Sequence, residues 1–83
     1  MENKQAICDA LCVALVLTDN VGRNNALKRL VYLPEGNGRY NEVVRPIFED
    51  GTGENGYYDV NVSMDSGTAM IMDIVDQFVR RVW

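Results

Sequence analysis

Residues 57–63, YYDVNVS, form the stretch on which the fold turns. Tyr58, Val60 and Val62 fall on one face, and Tyr57, Asp59, Asn61 and Ser63 on the other. A period of two marks a strand with one buried and one watered face, as in an antiparallel sheet covered on a single side.

Working upstream, residues 49–56 carry three glycines and read as a turn. Residues 39–48 then form a second strand, joined through the turn-rich PEGNG of 34–38 to residues 27–33. The segment LKRLVYL at 27–33 is open between strand and helix, although Leu30, Val31, Tyr32 and Leu33 favour a strand. Pro46 lacks an amide donor, so its strand is expected at an edge or bulged there.

Downstream, Asp65 or Ser66 is placed to cap a helix from about residue 67 to the end. Its stripe is Ile71, Ile74, Val75, Phe78 and Val82, widened by Met70, Met72, Val79 and Trp83. At the other end, residues 3–17 place Ile7, Leu11, Ala14 and Leu15 at helical spacing. Val13, Val16 and Leu17 spread apolar surface around the rest of that helix, so it should be buried on more than one side, by a second helix or a second chain. The expected fold is α+β: a two-layer α-β-β-β-α domain, with a three-stranded antiparallel meander and the N- and C-terminal helices packed on one face.

Eighty-three residues suit a single small domain spanning 1–83, and 47% apolar with 24% charged content suits a folded one. Cys8 and Cys12 are the only cysteines and lie one helical turn apart, a poor spacing for a bridge. A reducing, cytoplasmic setting is therefore expected. The apolar run Leu11–Leu17 is far short of a spanning helix and lacks the flanks of a secretion signal, so no membrane association is expected.

Catalysis is not expected. The chain has no histidine, which removes the commonest general acid–base and leaves Cys8 and Cys12 without an imidazole partner or further zinc ligands. Residues 51–56 spell G-x-G-x-x-G, but a strand follows instead of a helix, and Asp50 and Glu54 would repel phosphate. A wide glycine turn is the better reading, and no cofactor or metal is expected. A calcium loop starting at Asp50 would have Asn55 where glycine belongs and Asn61 where glutamate belongs, so a small-ligand or calcium module is only an alternative.

Charge is segregated. From Glu42 to Asp76 there are eight acids against one base, Arg45, whereas Arg23, Lys28, Arg29 and Arg39 face only Glu35 in the segment before. With a net charge of −4, direct nucleic-acid binding is disfavoured. Glu49, Asp50, Glu54, Asp59, Asp65, Asp73 and Asp76 are the candidate partner-binding residues, forming a surface that would steer a basic, nucleic-acid-binding protein. An inhibitor of the kind mobile elements encode fits such a chain. The second expectation is a structural or regulatory homodimer held by Val13, Val16 and the terminal Trp83.

Overall fold

The computed structural model describes residues 3–18, 25–63 and 65–82, together with the backbone of 21–22. The first helix, α1, spans Lys4–Leu17. It starts where the Asn3 side chain accepts from the Ala6 amide at 3.2 Å, and it ends as the Thr18 amide donates to the Ala14 carbonyl. Among the described residues four strands follow: β1 (Val21–Gly22), β2 (Asn25–Leu33), β3 (Val43–Phe48) and β4 (Val60–Asn61). The second helix, α2, spans Gly67–Gln77 behind a Ser66 cap and passes into a π-helical turn at Phe78–Val82. The sheet order is β1-β2-β3-β4 with every pairing antiparallel.

The α+β class, with a helix at each end of an antiparallel meander, is as the sequence implies. Residues 27–33 belong to the sheet. Val43 to Phe48 run antiparallel against them from Leu33 to Leu27, and the register shifts around Lys28, where β2 bulges. One further strand, β1, pairs Val21 with Ala26 and Gly22 with Asn25.

Two details differ from the sequence reading. β3 is interior in the strand order, not an edge, yet β4 pairs only with Val43 and Val44. Pro46 therefore still lies on a stretch of β3 with no strand on its far side, which is how a residue without a donor is accommodated. The strand at 57–63 is also shorter than its alternation suggests. Only Val60 and Asn61 join the ladder, continued by the Val62 amide donating to the Glu42 carbonyl, because residues 51–56 occupy the β3 edge that Tyr57 and Tyr58 would otherwise reach.

One core fills the space between helices and sheet. Cys8, Cys12 and Leu15 of α1 and Met70 and Ile74 of α2 meet Leu27, Leu30, Val44, Phe48, Val60 and Val62, with Phe78 and Val82 completing it. Both helices thus cover the same face of the sheet, and the expected alternation of Val60 and Val62 toward the core holds. Burial of α1 is one-sided. Val13 and Leu17 remain 61% and 78% exposed, because α2 and the sheet together reach only the Cys8–Cys12–Leu15 side. No helix among the described residues is long and apolar enough to cross a membrane.

Candidate functional site

The loop from Glu49 to Tyr58 is held by its own backbone. Phe48 N–H donates to the Thr52 carbonyl, Gly51 N–H to Phe48, Glu54 N–H to Gly51, and Gly56 N–H to Gly53. Asp50 accepts from the Thr52 amide at 2.7 Å and from its hydroxyl, and Asn55 accepts from the Tyr57 amide at 3.0 Å. These bonds pull the Asp50 carboxyl below the usual carboxylate range, the Thr52 hydroxyl being the largest cause. Gly53 is pressed against β3 with φ +95°, where an added Cβ would stand 2.1 Å from the Pro46 carbonyl oxygen. Only glycine fits there. The G-x-G-x-x-G is thus a chain of tight turns along the free edge of β3.

With its backbone bonded inward, the loop presents Glu49, Asp50 and Glu54 to water. Beside them Tyr57 is 73% exposed, its ring set edge-on to Tyr58 at 5.0 Å. Gly51 to Asn55 with the two tyrosines line a shallow groove of about 490 Å3.

The other expected partner-binding acids are placed differently. Asp59 is a correction: it is 2% exposed and does not face a partner. Arg45 grips it with two bonds, Nε to Oδ1 at 2.8 Å and Nη2 to Oδ2 at 3.0 Å, while the Asn37 amide donates to Oδ2 at 2.7 Å. The pairing of Val43 with Asn61 and Val44 with Val60 puts Arg45 opposite Asp59 in register, and the ion pair holds Arg45 above its usual pKa. Asp76 pairs with Arg80 one turn on, and Asp73 shares a cleft with Arg80 and Arg81. Asp73 keeps Oδ2 buried with no partner among the described residues. Asp65 is exposed at the start of α2. The seven acids therefore do not make one surface; Glu49, Asp50 and Glu54 do share a loop.

A third polar cluster ties the helix start to the hairpin. Lys4 Nζ donates to Glu42 Oε1 at 2.9 Å, the Tyr32 hydroxyl donates to the same oxygen at 2.6 Å, and Lys4 stands 5.4 Å from the Tyr32 ring centre. These contacts lower the Glu42 pKa and raise those of Tyr32 and Lys4. Cys8 and Cys12 are free, buried thiols; burial pushes Cys8 up to about 11, which keeps it a protonated, unreactive thiol at neutral pH. Among the described residues no three acidic or thiol side chains come together as metal ligands.

The helix layer carries the other notable surface. Val13 and Val16, the expected dimer contacts, are 61% and 47% exposed, next to Leu17. Trp83, the third, lies outside the described residues. On α2 and the turn after it, Ile71, Met72, Val75 and Val79 are also exposed and line an apolar groove of about 450 Å3 with Asp76. Sequence reasoning assigned these four to the core stripe. On the helical wheel they occupy the arc to one side of Met70, Ile74 and Phe78, Ile71 next to it and Met72 and Val79 farthest round, and that offset is the signal that separates them.

No family model, curated protein or solved structure matches the chain.

Proposed function

We propose that this chain is a non-catalytic interaction protein that docks a basic protein through the 49–57 loop. Glu49, Asp50 and Glu54 supply the charge, and Tyr57 and Tyr58 supply a groove wall for a lysine or arginine stem with its cation over a ring. The observation that carries this reading is a loop whose backbone hydrogen bonds are spent inward while its acids and one tyrosine stand in water. Such a loop is ordered before it meets a partner, so little entropy is lost on docking. A partner whose basic groove ordinarily holds nucleic acid suits the net charge of −4, and occupying that groove would inhibit it. The free thiols favour a reducing, cytoplasmic setting.

The test is a pull-down from nuclease-treated lysate with the tagged chain and its Glu49→Lys/Glu54→Lys double variant. A basic protein should be retained at low salt, released at high salt, and bound at least about tenfold more weakly by the double variant. Retention that ignores both salt and the substitutions, or an empty eluate, sinks the proposal.

A further inference from the structure

The outward face of the helix layer is a second surface, separate from the loop. Because α1 and α2 cover the same side of the sheet, each helix leaves its unburied apolar residues outside the core they share. The α2 stripe, Ile71, Met72, Val75 and Val79 with Thr68 between, carries no charge. Asp73, Asp76 and Arg80 sit around the helix toward the side where Gln77 Nε2 donates to the Asn61 carbonyl of β4. On α1, Ala6, Ala10, Val13 and Leu17 recur at i, i+4, i+7 and i+11, and all four are exposed.

We propose that this face binds a second copy of the chain, forming a closed twofold dimer. Three features favour a second copy. Judged from their fractional exposures, the large apolar side chains of the two stripes offer on the order of 700 Å2, against ~800 Å2 per partner in a standard interface. The one charge lining the α2 groove, Asp76, is paired with Arg80, so two copies that each carry −4 bring the groove together without an uncompensated acid on its wall. The two stripes also complement one another. The alanines of α1 leave a shallow track beside Val13 and Leu17, and the long, unbranched side chain of Met72 on α2 suits it. A twofold axis makes that contact twice, once in each direction.

Sedimentation equilibrium of the full chain decides the matter, with Val13→Glu and Met72→Glu as separate variants. The wild type should reach twice its 9.3 kDa mass as concentration rises, with a melting temperature that climbs alongside. Each variant should stay at the single-chain mass with an unchanged far-ultraviolet spectrum. A charge placed twice in one dimer should weaken it at least about a hundredfold. Both positions are more than 60% exposed, and they lie on different helices, so a misfolded variant at one leaves the other to report. A wild-type chain that remains at 9.3 kDa at the highest soluble concentration overturns the proposal and gives the face to a different protein or to a lipid surface. A dimer that survives both substitutions overturns it too. The Glu49→Lys/Glu54→Lys variant should still pair, which separates this result from failure of the loop reading.

Discussion

Asp59 has exchanged water for the Arg45 guanidinium and the Asn37 amide, and the strength of that exchange is a matter for single residues. Removing one member leaves the other charge enclosed without its counterpart, so Asp59→Asn or Arg45→Met should each cost about 3 kcal/mol or more. Replacing both by apolar residues, Arg45→Met with Asp59→Leu, should recover much of that loss in urea unfolding. Single variants within about 0.5 kcal/mol of the parent would show that water reaches the pair. Alternation alone had put Asp59 on the face opposite Val60, which is correct. It could not reveal that the opposite face is covered there, because the covering group comes from a residue 14 positions earlier. Laying residues 39–48 antiparallel on 57–63 would have brought the opposite charges of Arg45 and Asp59 face to face.

At the scale of elements, two devices hold the pieces in place. The Lys4–Glu42–Tyr32 cluster fastens the first turn of α1 to the hairpin, and its dependence on pH has a definite sign. Glu42 is held below its usual 4.5, first by the Tyr32 hydroxyl and then by Lys4, so its contribution is complete above that value and fades as pH falls past the lowered one. Tyr32 and Lys4 are raised above 10.0 and 10.5, so their share persists below those values and fades as pH rises past the raised ones. Glu42→Gln should therefore cost about 1 kcal/mol at neutral pH, and the difference from the parent should narrow as pH falls below 4.5 and past the lowered Glu42 pKa. A gap that stays constant with pH would assign the loss to packing.

The glycine loop is the second device. Gly53→Ala puts a methyl group onto the Pro46 carbonyl in a backbone conformation that alanine resists, at about 2 kcal/mol or more. Its melting temperature should drop by about 10 °C, and a drop of under 2 °C would mean that the loop simply lifts away. Helix positions were readable because caps and apolar spacing are local signals, as at the Ser66 cap of α2 and the apolar spacing of α1. The length of β4 was not, since it depends on which segment wins the edge of β3, and that is decided by loop closure far from the strand.

For the molecule as a whole, the two-layer arrangement was legible because a half-buried sheet needs cover, and only the terminal segments have helical apolar faces to provide it. The charge pattern was a poorer guide. Counting acids along the chain ignores which of them a fold pairs off, and Arg45, Arg80 and Lys4 neutralise Asp59, Asp76 and Glu42 in three dimensions. The apolar surplus of α1 was correctly noticed, yet its other half on α2 was concealed among residues that look equally suited to the core.

One contact bears on what kind of assembly this chain can enter. The Gln5 side chain reaches from α1 to β2, donating to the Leu30 carbonyl at 2.9 Å and accepting from the Tyr32 amide at 2.8 Å. It occupies two of the backbone groups that an incoming strand would use. Gln77 donates in the same manner to the Asn61 carbonyl on β4, and the glycine loop lies along β3 between. Side-chain amides thus cap a stretch of β2 past its pairing with β1 and one carbonyl of β4, which leaves less free backbone at those two places for an added strand. Copies of this chain that meet through their helices would stop at a finite particle and not lengthen into a filament.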